Sequence, residues 1–346
     1  MDSDAVVALA GEILERAGVS QGLVDAVPVS GGANNRVFKI TGSESDFLLK
    51  CYFQHPEDPR NRCKADYEFT RFAWVNGMRA VPKPLGVNWE NHSALYEFVR
   101  GRKIGAGEIT PAILNQASDF FSDINHFRGE PGAKELQAAS EACFSIREHL
   151  ACVQRRIDRL HAIDETQPLG EEAATLVREK LAPAWERICS MVLASDSAEN
   201  ISRTLKLDQR CLSPSDFGFH NALQQSDGTL RFFDFEYAGW DDPAKMICDF
   251  FCQPEIPVAA EHFRLFTNWV LAKFEERDEI LTRAQRLLPV YRIKWCCIIL
   301  NEFLAVDLSR RKFSDPVKDP LERKRRQLAK VVALLEALGH NHQPQD

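Results

Sequence analysis

The sequence predicts an α+β fold in two lobes, a small antiparallel sheet followed by a larger, mainly helical lobe, and three observations carry that expectation. Short segments with strand-like alternation crowd the first hundred residues. Beyond Gly105 most segments have the length and apolar period of helices. A single β-rich island, LRFFDFE from Leu230 to Glu236, interrupts the helical half. The boundary is expected at residues 99 and 100, giving lobes over 1–99 and 100–346, with the glycines of VRGRKIGAGE as a hinge.

Taken in order, Met1 to Gly22 mixes Asp2, Asp4, Glu12, Glu15 and Arg16 among apolar residues, which predicts an amphipathic helix and not the basic-then-apolar layout of a signal peptide. RVFKIT, DFLLKCYF and SALYEFV read as three strands, and CKADYEFTRFAWVNG as a helix between the second and third. Helices are then expected over ILNQASDFFSDINHF, SIREHLACVQRRIDRLHAI and EEAATLVREKLAPAWERICSMVLA. The run from Glu261 to Arg311 contains Pro289 and is expected to form at least two helices.

Composition narrows the function classes. A chain of 346 residues with 45% hydrophobic and 27% charged residues can bury a sizeable core. Its net charge of -7 argues against nucleic acid as a partner. The apolar run WCCIILNEFLAVDL is broken by Asn301, Glu302 and Asp307 and is too short for the ~20 residues of a membrane span, so a cytoplasmic protein is expected. Ten cysteines are scattered without a CxxC pair, which predicts reduced, buried thiols and no cysteine metal site. The basic runs SRRKF and ERKRRQ read as solvated faces.

The chemistry-bearing residues fall into two groups. In SGGANNRVFKI, Ser30, Gly31 and Gly32 precede a strand, with Asn35 at its start; such a turn lets backbone N–H groups approach a phosphate, although a tight hairpin explains the glycines equally well. Lys50 lies among Leu48, Leu49 and Tyr52, where an ammonium needs an anion. Glu68 on the next helix is the expected partner, holding Lys50 against the α- and β-phosphates of a nucleotide. In the second group, LSPSDFGFHNAL supplies Asp216 and Asn221, and Asp234 follows the RFF strand. A phosphoryl acceptor needs a positioned carboxylate to take its proton, and a nucleotide-bound metal needs hard oxygen ligands. Asp216 suits the first role, Asn221 and Asp234 the second.

This ordered set resembles the aminoglycoside phosphotransferase and choline kinase superfamily of small-molecule kinases, from about Val27 to Lys245. The resemblance implies a two-lobed protein-kinase-like fold, ATP and Mg2+ as cofactors, and transfer of the γ-phosphate to a hydroxyl of a small polar acceptor such as an amino sugar or amino alcohol. Residue by residue, the glycine loop matches Ser30 to Asn35, the nucleotide lysine Lys50, its helix partner Glu68, and the hinge LYEFVRG, whose Glu97 and Phe98 backbone would meet adenine. Leu160 and His161 match the family's leucine-histidine segment, Asp216 and Asn221 its catalytic loop, and Asp234 its metal aspartate. The family's loop normally reads His-Gly-Asp or His-Asn-Asp; here Pro214 and Ser215 precede Asp216, so the loop is expected to be held differently, and a non-catalytic nucleotide-binding module is the alternative. For the acceptor pocket the candidates are His220, Glu236, Tyr237, Trp240 and Asp241, joined by Trp295, Glu302 and Asp307. An aromatic ring beside acids would suit an amino-bearing acceptor. Asp249 is expected to tie down the segment after Asp234.

Overall fold

Alternation along two long strands explains how the amino-terminal sheet buries both faces. The computed structural model describes residues 2–29, 35–55, 58, 60–304 and 319–340, so Ser30, Gly31, Gly32, Asp307 and the SRRKF run lie outside the described residues. Strands β1 (Leu23–Pro28), β2 (Asn35–Gly42), β3 (Asp46–Tyr52), β4 (Pro84–Asn88) and β5 (Ser93–Glu97) form one sheet in the order β1-β2-β3-β5-β4, every neighbouring pair antiparallel. Phe38 and Ile40 of β2, and Phe47, Leu49 and Cys51 of β3, pack with Val6, Leu9, Ala10, Ile13 and Leu14 of helix α1 (Ser3–Arg16). Period 2 sends their neighbours, Asn35, Lys50 and Tyr52, to the opposite face. Asp2 caps α1 by accepting the Ala5 N–H at 2.8 Å.

Helix α2 (Arg62–Val75), capped by Asn61, buries Cys63, Asp66, Phe69 and Thr70. Helix α3 (Pro111–His126) follows, capped by Thr110 with Pro111 at its first position. Strands β6 (Cys211–Ser213) and β9 (Gly239–Asp241) pair, and β7 (Ala222–Gln224) forms a hairpin with β8 (Leu230–Phe232). Glycine is required at position 239, where a Cβ would lie 2.2 Å from the Gln137 carbonyl oxygen.

The remaining helices are α4 (Ile146–Leu160), α5 (Gly170–Leu176), α6 (Ala182–Ala194), α7 (Ala198–Ser202), α8 (Pro243–Cys252), α9 (Phe263–Val270), α10 (Arg277–Leu300) and α11 (Pro320–His340). Pro289 does not separate two of them: it lies inside α10, and the break falls between Val270 and Arg277. The lost N–H is tolerated because Leu287, Val290, Tyr291 and Ile293 around it are buried, and that packing outweighs the local cost. Pro183 and the π turn Val177–Leu181 join α5 to α6.

Contacts divide the described residues into two compact units elsewhere than at residues 99 and 100. Residues 2–140 and 212–240 make the first; 141–211, 241–304 and 319–340 make the second. The first unit thus holds the sheet, α2, α3 and the β7–β8 hairpin. The second is helical, and its interior carries ionic groups. Lys245 pairs with Asp241, and Lys294 reaches Asp249 at 2.9 Å, all buried. His149 meets Asp242 at 3.0 Å and the Tyr291 hydroxyl at 2.7 Å. All ten cysteines are free thiols and only Cys189 is not buried.

Candidate active site

Lys50 is the centre of the site. It is 6% exposed, and its ammonium donates to Asp66 and, at 2.6 Å, to Asp234 Oδ1. Burial works against its charge, but the carboxylates of Asp234, Asp66 and Glu236 more than offset it and hold the ammonium above the ordinary lysine range. Asp66 is itself 2% exposed and accepts from three further donors, the Tyr52 hydroxyl at 2.8 Å, the Phe235 N–H at 3.1 Å and the Thr70 hydroxyl at 3.5 Å. The lysine therefore joins β3, α2 and the segment after β8.

Glu68 is not the partner of Lys50. It lies 3.9 Å from Lys64 one turn back on α2, with its side chain 30% exposed. Two residues along a helix turn the side chain by about 200°, so Asp66 and Glu68 cannot face the same lysine. The signal for Asp66 was available, since its neighbours at helical spacing, Cys63, Phe69, Thr70 and Ala73, are the buried face of α2.

The Asp216 loop is built on buried side-chain clamps. Asn125 of α3 accepts the Leu212 N–H at 2.8 Å and donates to the Leu212 carbonyl at 3.0 Å. Ser215 takes φ of 67°, a left-handed conformation that costs a non-glycine residue, and its N–H is held by the Ser213 hydroxyl at 3.0 Å. Asn221 Nδ2 then ties the Asp216 carbonyl at 3.0 Å, which leaves the amide oxygen of Asn221 as its other polar atom. His220 Nε2 approaches Asp216 Oδ1 at 3.3 Å, and the Asp216 side chain is 32% exposed. Lys103 Nζ reaches the His220 carbonyl at 3.4 Å.

Apolar packing aligns the two acidic segments. Phe217 follows Asp216 and Phe235 follows Asp234, and both rings stack on Phe120, at 5.6 and 5.8 Å between centroids. Phe232 meets Phe120 at 4.7 Å and Phe69 meets Phe235 at 5.0 Å. Asp234 has φ of 70°, and the Phe233 N–H beside it bonds the Asn221 carbonyl at 3.1 Å. Each acid is thus carried on a strained turn next to a phenylalanine anchored in one cluster.

Beyond Asp234 the expected acceptor residues diverge. Glu236 is 2% exposed, receives Asn35 Nδ2 at 2.6 Å, and is pushed above the usual carboxylate range by burial and by Asp234. Asn35 Oδ1 is buried without a protein partner among the described residues. The Tyr237 ring carries the guanidinium groups of Arg60 and Arg62, at 5.6 and 5.9 Å. Trp240 is a core residue whose indole N–H bonds the Ala133 carbonyl at 2.8 Å, and Asp241 is fully buried with Lys245 and the Asp242 N–H. Trp295 and Glu302 are likewise committed, to Asp249 and Arg323. Trp240, Asp241, Trp295 and Glu302 are therefore structural: a buried charge or indole with its own partner keeps that partner. Tyr237 already holds cations on its ring. Asp249 receives both Lys294 and Trp295, contacts that join α8 to α10.

At the hinge, the Glu97 N–H donates to the Lys83 carbonyl at 2.9 Å and the Phe98 N–H to the Asp46 carbonyl at 3.2 Å. The Glu97 carboxylate pairs with Arg231, which also donates to the Val81 carbonyl at 2.8 Å. Among the described residues no three His, Cys, Asp or Glu side chains converge to hold a metal ion, and no helix is long and apolar enough to cross a membrane. Asp234 and the Asn221 amide oxygen offer hard oxygen donors, which fit Mg2+ completed by phosphates and water better than an all-protein cage.

Comparison with known proteins bears on this arrangement. No curated protein sequence matches the chain. Among solved structures, the fold resembles spectinomycin phosphotransferase APH(9)-Ia in its AMP complex, with TM-score 0.62, 11% identity, 99% of this chain and 100% of that one covered. It resembles Plasmodium vivax ethanolamine kinase with TM-score 0.58 and 15% identity over 91% and 84% of the two chains. A choline/ethanolamine kinase family protein from Mesorhizobium loti gives TM-score 0.57 and 18% identity over 96% and 94%. The family model described as the phosphotransferase enzyme family APH matches residues 25–261, which span the sheet, Lys50, Asp216, Asn221 and Asp234, and the chain belongs to that family.

Proposed function

We propose that the chain transfers the γ-phosphate of ATP to a hydroxyl of a small polar molecule. One observation carries the reading: the Lys50 ammonium is shared between Asp66 and Asp234 in the same compact unit as the clamped loop of Asp216, His220 and Asn221. Lys50 holds the α- and β-phosphates, with Asn35 beside them and the Glu97–Phe98 backbone at the adenine. Asp234 and Asn221 hold Mg2+, which supplies charge neutralisation on the phosphates. Asp216 orients the acceptor hydroxyl and takes its proton, and the imidazole of His220 steadies the carboxylate. Amino sugars and amino alcohols are the first acceptors to test, because structural neighbours bear the names of choline, ethanolamine and spectinomycin kinases. Recognition of an amino group by Tyr237 is not part of the proposal, since its ring already carries Arg60 and Arg62.

A second reading, a nucleotide-binding module without turnover, draws on Pro214 and the left-handed Ser215 where the family places a histidine. Magnesium-dependent ATP turnover against pooled amino sugars, amino alcohols and polyols decides between them. Turnover with one pool that falls ~10²-fold in Asp216→Asn, nucleotide affinity being kept, is expected of a general base. Tight nucleotide binding without turnover in any pool favours the module.

A further inference from the structure

Two buried phenols connect the hinge strand to the lysine. Tyr52 closes β3, and its hydroxyl lies 2.8 Å from Asp66 Oδ2 and 3.1 Å from the hydroxyl of Tyr96. Tyr96 sits opposite Leu48 on β5, one residue before Glu97. Both tyrosines are nearly inaccessible, and burial pushes both phenols well above their ordinary range, so each keeps its proton. That fixes the direction of the chain. The Asp66 carboxylate, already receiving an ammonium, can only accept, so Tyr52 donates to it and turns its own oxygen toward the Tyr96 O–H.

The same Asp66 oxygen receives Lys50 and Tyr52, while its other oxygen receives the Phe235 N–H and Thr70. A carboxylate so filled has one orientation. The Lys50 ammonium also lies 5.3 Å above the Tyr52 ring, so this one residue touches both members of the pair. We infer that Tyr52 is a positioning residue, which holds Asp66 and through it Lys50 in the orientation that receives the nucleotide's phosphates, with Tyr96 linking this setting to the hinge. The inference rests on the nucleotide reading above. Tyr52 touches no reacting atom, and its effect is confined to how the lysine is presented.

The alternative is that the two hydroxyls only satisfy one another inside the lobe. Tyr52→Phe separates the two, because it keeps the ring over Lys50 and removes the donor. Calorimetric titration of wild type, Tyr52→Phe, Tyr96→Phe and the double variant with Mg·ATP and with adenosine gives the readout. Tyr52→Phe is expected to weaken Mg·ATP about tenfold, equivalent to about 1.4 kcal/mol, and to leave adenosine within about twofold. Tyr96→Phe follows in the same direction with a smaller loss. The double variant is no weaker than Tyr52→Phe alone, as expected when one residue acts through the other. Equal affinities in wild type and Tyr52→Phe, or parallel losses for ATP and adenosine, overturn the inference. Wild type that fails to bind Mg·ATP overturns the nucleotide reading itself, and the inference falls with it. Should Tyr52→Phe not fold, an unchanged ratio of ATP to adenosine affinity in Tyr96→Phe overturns the relay on its own.

Discussion

Lys50 Nζ and Asp234 Oδ1 are 2.6 Å apart, so the proposed phosphate-binding cation and the proposed metal ligand are in direct contact. Asp234 reaches this position from a left-handed backbone, and Lys50 is kept charged by the acids around it. A bound metal and the ammonium would then compete for one carboxylate, and nucleotide phosphates, with their own negative charge, would resolve the competition by giving the ammonium other oxygens. Nucleotide and metal should bind together better than either alone.

Asp234→Asn therefore removes the metal dependence of nucleotide binding. In wild type, calorimetry is expected to give ATP an affinity at least tenfold higher with magnesium than with a chelator. In the variant the two values converge. Equal affinities with and without magnesium in wild type would contradict the assignment of Asp234 as a metal ligand.

The contrast between Asp66 and Glu68 tests the corrected lysine partner. Asp66→Ala strips a buried ammonium of one of its two direct carboxylate partners, a change of the kind that costs about 3–5 kcal/mol when a buried pair is broken, and ATP affinity should fall at least tenfold. Glu68→Gln alters a half-exposed side chain near Lys64, for which an effect within about 0.5 kcal/mol is expected. Urea unfolding and ATP titration of both variants check the pair. Comparable losses would restore Glu68 to the site.

The sequence made the strands of Phe38, Ile40 and Leu49 legible because each alternates one buried face with one chemical face. It hid β1 and β4. In β1 only Ala26 is buried while Val24 and Val27 are exposed, and β4 carries Pro84 and Gly86, so neither edge strand shows period 2. Asp216, Asn221 and Asp234 were proposed from spacing, and the structure places them in one compact unit with Lys50. Asp66 was missed because a spacing argument does not resolve which side of a helix a carboxylate occupies, whereas the buried face of α2 does. Trp240 and Asp241 were misread for the opposite reason: aromatic and acidic residues just after Asp234 suggest a pocket, and only the Ala133 and Lys245 contacts show that both point inward.

Phe120 should be the most sensitive apolar residue of the site. It touches Phe217, Phe232 and Phe235, so Phe120→Ala opens a cavity beneath both acidic turns and is expected to cost about 3–5 kcal/mol in urea unfolding. Phe120→Leu fills most of the volume and should recover more than half of that loss. Because Ser215 and Asp234 hold left-handed backbones, the alanine variant should also lose turnover beyond its loss of folded protein. An unchanged specific activity of the folded fraction would show that the turns hold themselves.

Acid stability depends on Asp242 in the second unit. Its burial opposes its charge, but Arg283 and then His149 outweigh that and hold its carboxyl at about 2, against an ordinary value of 3.8. Between those values the unfolded chain binds a proton that the folded chain does not. The stability Asp242 contributes, about 2 kcal/mol from that difference, is thus complete above about pH 4 and lost as pH falls through about 2. His149 acts in an earlier window, because burial lowers its own proton affinity below the ordinary 6.5, so the unfolded chain gains a proton first as pH drops below that value. Unfolding free energy measured by urea should fall gradually from about pH 6.5 and more steeply below pH 4. Asp242→Asn leaves Arg283, only 12% exposed, without its carboxylate and should lower stability at pH 7 by about 3–5 kcal/mol, while flattening the slope below pH 4. A variant whose slope there matches wild type would assign the acid loss to other carboxylates, of which Glu141, held at about 2 by Arg156, is the next to test.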